Sequence, residues 1–314
     1  MATTDRNDCA VAFCCDRNYF HLALFTIRQL AFYNPHRSFD FIVATQDDLV
    51  VPDWARSLGM EIHQIGKVPE TGGVGRFHGS LAPFFRIMLA RELQHRYRRI
   101  LYLDCDLFIE GGDVNRLLQI DMGPHPIAAV LDAPFMYESN YRAREFQKLG
   151  WPAAPYANTG LQLIDTKAYV EQELERRSFE LCMTHAEAIV YTDQSLTNIL
   201  LRGRFAQLAP CWNWQCNHRL PLVTARYPVF IRHFIGRKKP DQESSGVLEA
   251  RFNHAYREFL TQYMPDLLPK LAKPADPAPM PFPEAMLIVL RHYLARNIVA
   301  EVLKRHPDPY TAII

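Results

Sequence analysis

Short apolar segments alternate with helix-length segments in the first third of the chain, and this alternation constrains the fold more than any other feature. Residues 9–15, 39–44 and 60–65 have the length and composition of buried strands, while residues 19–32 and 83–96 have those of helices. Strands that alternate with helices are typical of βαβ units, in which helices cover both faces of a mostly parallel sheet. The sequence therefore predicts an α/β fold.

The next predicted strand, in the stretch of residues 98–109, is apolar and ends in two carboxylates, Asp104 and Asp106. Side chains at i and i+2 of a strand point to the same face, so we expect both aspartates on one side of the sheet and Cys105 on the other. Two adjacent carboxylates repel each other unless a cation lies between them, and carboxylate oxygens suit Mg²⁺ or Mn²⁺. The alternative interpretation is an ordinary strand end with two solvated acids.

Polar residues also follow the first predicted strand, where Asp16 and Asn18 precede a helix. Ligands of open α/β sheets bind beyond the carboxyl ends of the strands, at the point where the strand order reverses. We therefore expect Asp16 and Asn18 to share one crevice with Asp104 and Asp106. Later segments extend the pattern, with predicted strands over 126–131 and 157–164 and predicted helices over 166–184 and from Asp193 onward.

Residues 265–283 carry seven of the 22 prolines in the chain, which predicts a semi-rigid extended linker. The linker would separate a domain of residues 1–264 from an accessory segment of residues 284–314. Within that segment, residues 284–305 predict a helix whose apolar side chains recur at helical spacing, with basic residues beside them. The apolar residues are Met286, Val289, Leu290, Leu294, Ile298 and Val302, and the basic ones are Arg291, Arg296, Lys304 and Arg305. We expect this helix to dock on an anionic membrane surface or to mediate self-association; the alternative is that it folds back onto the first domain.

Composition excludes several classes of function. The formal net charge of +1 among 314 residues provides no basic field for nucleic acid. The polar start, Met1–Asp8, has no apolar core of a signal peptide, and no apolar run approaches the ~20 residues of a membrane span. Seven cysteines without disulfide or zinc spacing fit a reducing compartment, so we expect a cytoplasmic protein, peripheral on the membrane if the accessory helix docks there.

Six motifs, in order, resemble those of family 8 glycosyltransferases, which are retaining, metal-dependent enzymes of the GT-A fold. The resemblance covers residues 9–241 and implies a Rossmann-like, mostly parallel sheet flanked by helices, here with a C-terminal helical appendage. The family includes bacterial lipooligosaccharide galactosyltransferases and the glycogenins. The motifs are Phe13-Cys-Cys-Asp-Arg-Asn-Tyr19, Arg86-Ile-Met-Leu, Leu101-Tyr-Leu-Asp-Cys-Asp-Leu107, Asn158-Thr-Gly-Leu-Gln-Leu-Ile164, Asp193-Gln194 and His233-Phe-Ile-Gly-Arg-Lys-Lys-Pro240.

The resemblance implies a donor site and a metal site. Asp104, Asp106 and His233 would hold Mn²⁺, or less suitably Mg²⁺, because an imidazole nitrogen suits the softer ion. The donor would be a UDP-sugar, UDP-glucose or UDP-galactose. The donor would contact the residues that match the family's donor motifs, which are Asp16, Asn18, Tyr19, Arg86, Asp104, Asn158, Gly236 and Lys239. Arg86 lies on an otherwise apolar helix, where a buried charge must be paired; the partner would be the donor or Asp132.

The resemblance also implies catalytic roles for Gln194, Asp193 and Asp132. Gln194 is a poor nucleophile, so we expect same-face attack through an oxocarbenium-like state rather than a covalent intermediate. Asp132, Asn158 and Asp193 would hydrogen-bond sugar hydroxyls. The acceptor would be a saccharide or a glycolipid, as in lipopolysaccharide synthesis.

Three other classes compete with this interpretation. A haloacid dehalogenase-type phosphatase also uses an Asp-x-Asp motif. In that family the motif lies near the N-terminus, whereas here it starts at Asp104, and the residues that follow it differ from Leu107-Phe108. A nicotinamide dehydrogenase needs a glycine-rich loop after the first strand, which Asp16-Arg-Asn-Tyr19 lacks. A non-catalytic sugar-nucleotide-binding scaffold would be indicated by a missing metal ligand, and all three are present.

Overall fold

The computed structural model describes residues 7–74, 80–133, 136, 138, 140–215, 227–235, 250–271 and 281–314. The strands are β1 (Cys9–Cys14), β2 (Asp40–Thr45), β3 (Met60–Gln64), β4 (Arg99–Leu103), β5 (Leu107–Ile109), β6 (Ile127–Leu131), β7 (Ala157–Asp165), β8 (Ala206–Gln207), β9 (Trp214–Gln215) and β10 (Ile231–His233). The α-helices are α1 (Phe20–Tyr33), α2 (Asp53–Arg56), α3 (Ala82–Leu93), α4 (Val114–Leu118), α5 (Arg144–Lys148), α6 (Thr166–Glu171), α7 (Leu174–Thr184), α8 (Thr192–Leu201), α9 (Ala250–Tyr263) and α10 (Phe282–Lys304).

The main sheet has seven strands in the order β3-β2-β1-β4-β7-β6-β8. The neighbours β1–β2, β2–β3, β1–β4 and β6–β8 are parallel, and β7 runs antiparallel to β4 and β6. Alternate residues of β1 enter different cores, with Val11 and Phe13 on one face and Ala10 and Ala12 on the other. The predicted mostly parallel sheet with helices on both faces is confirmed.

The single strand predicted over residues 98–109 is wrong. Strand β4 ends at Leu103, and β5 belongs to a second sheet of three strands in the order β5-β10-β9. The Thr26 hydroxyl of α1 donates to the carbonyl oxygen of Cys105 at 3.3 Å, which satisfies a backbone group that leaves the main sheet. Asp104 and Asp106 therefore lie on the connection between two sheets.

The single helix predicted over residues 166–184 is also wrong. It divides into α6 and α7 at Glu173, whose φ of 53° lies in the left-handed region. The turn lets both helices bury apolar residues, Tyr169 on α6 and Phe179 on α7. A straight helix would present one stripe only, so burial of two differently directed faces requires the break.

The C-terminal region is packed against the main body at several points. Pro265–Lys270 forms a 3₁₀-helix whose Leu267 and Leu268 pack against the main core, so the first part of the proline-rich segment is not extended. Val299 of α10 is buried with Trp214 and Val229. Beyond α10, side-chain and strand-like contacts join the last residues to the body: Trp212 Nε1 donates to the Pro309 carbonyl, the Tyr310 hydroxyl accepts from the Asp113 N–H, and Gln207 bridges to Ile313.

The helix predicted over residues 284–305 is confirmed as α10. One residue of its predicted apolar stripe, Val302, packs against the main core. The other five are exposed: Met286, Val289, Leu290, Leu294 and Ile298. Among the described helices, α10 included, none is both long enough and apolar enough to cross a membrane. The division of the chain into a domain of residues 1–264, a linker of residues 265–283 and an accessory segment of residues 284–314 remains a prediction.

Candidate active site

The carboxyl ends of β1 and β4, which pair side by side through Phe13 and Leu103, form the edge of the main sheet on which the site is built. Asp104 follows β4 directly, and Asp106 lies two residues further on, before β5. His233 ends β10, which pairs antiparallel with β5 through Leu107. The second sheet thus brings His233 to the two aspartates although the sequence separates them widely.

Arg86 of α3 pairs with two carboxylates at this edge of the main sheet. Its guanidinium bonds Asp104 Oδ1 at 2.8 Å and Asp193 Oδ2 at 3.0 Å, and its carbon lies 4.2 Å from the centre of the Tyr102 ring. The Tyr102 hydroxyl donates to the same Asp104 Oδ1 at 2.6 Å. Asp132, the alternative to the donor as a partner for Arg86, is not the partner seen here, because Asp104 and Asp193 already balance the buried charge. With Oδ1 held by two donors, Asp104 presents Oδ2 to the crevice.

The three predicted metal ligands converge in the described structure. His233 Nε2 lies 3.6 Å from Asp104 Oδ2 and 3.7 Å from Asp106 Oδ1, and all the ligand atoms lie within 4.8 Å of one another. These distances are too long for good hydrogen bonds, but they suit a cation between the three atoms with bonds of about 2.0–2.2 Å. Two carboxylate oxygens and one imidazole nitrogen fit Mn²⁺ better than Mg²⁺.

A directed chain of hydrogen bonds fixes which nitrogen of His233 faces the carboxylates. The Gly160 N–H donates to Asn158 Oδ1 at 3.1 Å, so the amide nitrogen of Asn158 points to Asp132 Oδ1, 2.9 Å away. Asn213 Nδ2 donates to the same Asn158 oxygen at 2.8 Å, which leaves Asn213 Oδ1 to accept from His233 Nδ1 at 3.0 Å. The proton of a neutral imidazole is therefore assigned to Nδ1, and Nε2 carries the lone pair that a metal needs.

Gly160 on β7 makes room for this arrangement. A Cβ there would lie 2.2 Å from His233 Cε1, 2.6 Å from His233 Nδ1 and 3.0 Å from Asp104 Oδ2. Its carbonyl oxygen also accepts from the Asp104 N–H at 2.8 Å. Any side chain would displace the imidazole, so the glycine is required by space rather than by backbone conformation.

The predicted catalytic residues all contact β7, with Asp132 bonded to Asn158 and with Asp193 and Gln194 bonded to Thr159. Asp193 and Gln194 are in the first turn of α8, as predicted, and both are tied to Thr159 of β7. The Thr159 hydroxyl donates to Asp193 Oδ2 at 2.9 Å, and its N–H donates to Gln194 Oε1 at 3.3 Å. Burial raises the pKa of Asp193, although Arg86 opposes the shift. Burial also raises the pKa of Asp132, against the hydrogen bond from Asn158.

The other predicted donor residues divide into two groups. Asp16 and Tyr19 lie at the same sheet edge, where Asp16 Oδ1 accepts from the Asn18 N–H at 3.0 Å and the half-exposed Tyr19 caps α1. Gly236 and Lys239 lie outside the described residues. The structure thus joins eight predicted residues in one network beside the Asp16 loop: Arg86, Asp104, Asp106, Asp132, Asn158, Asp193, Gln194 and His233.

Sequence reasoning assigned no role to four residues that shape this network. Tyr102 had a usable signal, because it lies two positions before Asp104 and so shares its face of the strand. Gly160 stands in a family motif without an assigned role and Asn213 had no signal, since both roles depend on β7, β9 and β10 meeting in space. Gln215 was missed for the same reason; its side chain accepts from the Ala133 N–H and donates to the Leu131 carbonyl, which holds the backbone around Asp132.

The sequence model of a protein family, described as glycosyl transferase family 8, matches residues 10–243 of this chain. General stress protein A of Bacillus subtilis is 26% identical over 202 residues, which are 60% of this chain and 66% of that protein. Lipopolysaccharide 1,2-glucosyltransferase of Escherichia coli is 29% identical over 125 residues, which are 40% of this chain and 36% of that protein. The chain therefore spans less than two thirds of the length of these two curated relatives.

A solved structure of the galactosyltransferase LgtC, in complex with donor and acceptor sugar analogs, superposes with a TM-score of 0.65 at 19% identity. The match covers 83% of this chain and the whole of that one. At this identity the likeness establishes the fold, which is the GT-A fold that the sequence motifs implied.

Proposed function

The chain belongs to glycosyl transferase family 8, and we propose that it transfers a hexose from a UDP-sugar to a saccharide or glycolipid acceptor with the help of a divalent cation. The observation that carries the proposal is the convergence of Asp104 Oδ2, Asp106 Oδ1 and His233 Nε2, with Asp104 turned toward the others by Tyr102 and Arg86 and His233 by Asn213. UDP-glucose and UDP-galactose are the donors we propose, and the names of relatives such as the Escherichia coli glucosyltransferase support a hexose.

The residues of the chain would bind and orient the donor. Asp16, Asn18 and Tyr19, after β1, would contact the uracil and ribose, and the family's Gly236 and Lys239 positions would contact the diphosphate. A cation bound by Asp104, Asp106 and His233 would neutralise charge on the departing diphosphate. Arg86 would keep the free oxygen of Asp104 aimed at the cation, since it holds the opposite carboxylate oxygen.

Gln194 would lie beneath the anomeric carbon and stabilise positive charge that develops there. An amide is a poor nucleophile, so departure of UDP and attack by the acceptor would occur on the same face, which retains the anomeric configuration. Asp132, Asn158 and Asp193 would hydrogen-bond sugar hydroxyls. Such buried polar contacts discriminate between hexoses more strongly than apolar contacts do.

The test measures release of UDP from UDP-glucose and UDP-galactose with Mn²⁺, with Mg²⁺ and with EDTA, and the thermal shift that UDP induces under each condition. We expect UDP release and a UDP-induced shift only with a cation. At ~100 times its dissociation constant, UDP should add ~2.7 kcal/mol to the free energy of unfolding. A metal-dependent shift without any UDP release would instead indicate a sugar-nucleotide-binding scaffold, and equal shifts with Mn²⁺ and EDTA would reject the metal assignment.

The accessory helix predicted from the sequence is α10. We propose that its exposed apolar face docks on an anionic membrane, so that the protein is peripheral on the cytoplasmic face. Its exposed apolar residues cover about half of the helix circumference, on the side away from the buried Val299, at 100° per residue. The exposed residues are Phe282, Met286, Leu287, Val289, Leu290, Tyr293, Leu294 and Ile298. Arg291 and Arg296 fall near the two edges of this face, where their long side chains would reach lipid phosphates while the apolar residues insert.

Substitutions within the exposed face test this better than truncation does, because the last residues contribute buried contacts such as Trp212 to Pro309. We expect a Leu290→Gln, Leu294→Gln variant to lose flotation with vesicles that contain phosphatidylglycerol and to keep UDP release from the donor. The matched control is Leu267→Gln, since Leu267 packs against the main core and its loss should lower stability without a specific loss of flotation. A change from dimer to monomer, with flotation absent in the wild type, would assign the face to a second copy of the chain.

A further inference from the structure

The motif Asn158-Thr-Gly160 lies in an irregular part of β7. Between two positions at which β6 and β7 pair, β6 covers the step from Ala129 to Leu131, whereas β7 covers the longer step from Gln162 to Ala157. The additional residues of β7 bulge out of the ladder with β6, so their backbone groups need other partners. The side chains that supply those partners therefore decide how the bulge, and the site built on it, is held.

Two helices supply partners for this part of β7. Arg86 of α3 donates to the Thr159 carbonyl at 3.0 Å, and the Thr159 N–H donates to Gln194 Oε1 of α8 at 3.3 Å. Asn198, which is also on α8 and is 1% exposed, accepts from the Ala157 N–H at 2.6 Å and donates to the Ala157 carbonyl at 2.9 Å. Residues of two antiparallel strands exchange the same two bonds, so the amide of Asn198 takes the place of a strand residue at the end of the bulge.

The spacings of the helix and the strand agree at these contacts. Gln194 and Asn198 are four residues apart on one face of α8, which corresponds to about 6 Å along the helix axis. Their partners on β7, Thr159 and Ala157, are two residues apart, which corresponds to about 6.6 Å along a strand. The two side chains therefore meet β7 in register, and a displacement of α8 at Asn198 would be passed on to Gln194.

The orientation of the Asn198 amide follows from its three contacts. Its Nδ2 donates to the Gln194 carbonyl at 2.8 Å as well as to the Ala157 carbonyl, and its Oδ1 accepts from the Ala157 N–H. Carbonyl oxygens can only accept and a backbone N–H can only donate, so the flipped amide would lose all three bonds. Asn198 thus joins the backbone of Gln194 to the end of the bulge.

We propose that Asn198 is a positioning residue that fixes α8 on the bulge of β7 and thereby fixes Gln194 in the donor site. The inference rests on the proposed function, because the role of Gln194 at the anomeric carbon comes from that reaction. Asp193 depends less on Asn198, since Arg86 and the Thr159 hydroxyl hold its carboxylate separately. Loss of the Asn198 amide should therefore act on turnover through Gln194, while the nucleoside and metal contacts on other elements keep the donor bound.

The experiment compares Asn198→Ala with Asn34→Ala. Asn34 is a matched control, because it is buried at the end of α1, donates to the Leu30 carbonyl one turn earlier at 3.0 Å and accepts from the Val114 N–H at 2.9 Å. We expect Asn198→Ala to lower kcat for release of UDP from UDP-glucose or UDP-galactose with Mn²⁺ at least about 10-fold, since a small displacement of a reacting group is costly. The donor KM should stay within about twofold. Asn34→Ala should lower the melting temperature and leave kcat unchanged.

A double-mutant cycle separates positioning from general destabilisation. In a Gln194→Ala background, Asn198→Ala should lower kcat by less than about twofold further, because the side chain that it positions is absent. Equal kcat values for Asn198→Ala and Asn34→Ala, or a larger further loss in the Gln194→Ala background, would overturn the inference. If Asn198→Ala does not fold, Asn198→Ser replaces it in the same cycle, since its hydroxyl can still bond the Gln194 carbonyl within the helix but is too short to bridge to Ala157.

The wild-type protein distinguishes failure of this inference from failure of the proposed function. A wild type that releases no UDP from either donor would overturn the proposed function. A wild type that releases UDP, together with either of the contrary results of the cycle, would overturn the positioning role of Asn198 alone.

Discussion

Replacement of Gly160 by alanine gives the sharpest test of the metal site. The added Cβ would lie 2.2 Å from His233 Cε1, whereas a carbon–carbon contact is ordinarily about 3.5–4.0 Å. The imidazole would have to withdraw by roughly 1.3 Å, the difference between those values. Metal–ligand distances tolerate deviations of only about 0.2 Å, so we expect Gly160→Ala to remove His233 from the ligand set.

The size of the effect follows from ligand linkage. If the weakened site lowers the metal-dependent affinity for UDP about 100-fold, UDP at 100 times its wild-type dissociation constant would stabilise the variant by only ~0.4 kcal/mol, against ~2.7 kcal/mol for the wild type. An unfolding entropy of ~2.1 cal/mol/K per residue gives roughly 1.5 °C per kcal/mol for 314 residues, so the UDP-induced shift in melting temperature should fall by roughly 3–4 °C. The assay is differential scanning fluorimetry with Mn²⁺, with and without UDP.

Gly73→Ala is the matched control, because its added Cβ would meet nothing nearer than Ala186 Cβ at 3.9 Å. The control should keep the wild-type UDP shift. A folded Gly160→Ala protein with an undiminished Mn²⁺-dependent shift would refute the reasoning, since His233 could then leave its observed position without consequence for the site.

Three further outcomes are expected. Asp106→Asn should fold with a nearly unchanged melting temperature and lose UDP release, because the amide keeps the shape but not the charge that holds a cation; turnover at the wild-type rate would reject this role. Asn213→Ala should raise the Mn²⁺ concentration for half-maximal UDP shift about 10-fold, because His233 loses the acceptor that fixes its tautomer, and an unchanged concentration would contradict the hydrogen-bond chain. Burial, with repulsion from Arg305, lowers the pKa of His306 to about 4. Since an unfolded histidine titrates near ~6.5, stability that is present above that pH should be lost as the pH falls toward 4, and His306→Gln should show a flatter melting temperature over this range.

Local patterns in the sequence were sufficient for strands β1, β2, β3, β6 and β7, for helices α1, α2, α3, α8 and α10, and for two of the three candidate metal ligands. Strand β1 is buried on both faces and is readable as a continuous apolar run, and Asp104 and Asp106 are marked by the apolar strand before them. These signals are short-range, because strand and helix periodicity is expressed within a few residues. The family motifs added His233 and the Asp193-Gln194 pair without showing how they meet.

Only the tertiary structure decided which partner each buried polar group has. Arg86 pairs with Asp104 and Asp193 rather than Asp132, although all three carboxylates were visible in the sequence. The break of residues 98–109 into two sheets, and of 166–184 into two helices, likewise depends on faces that become buried against distant segments. The hydrogen bond between Asn213 and His233 arises because β9 and β10 pair in space, and the sequence contains no local pattern that specifies such a pairing.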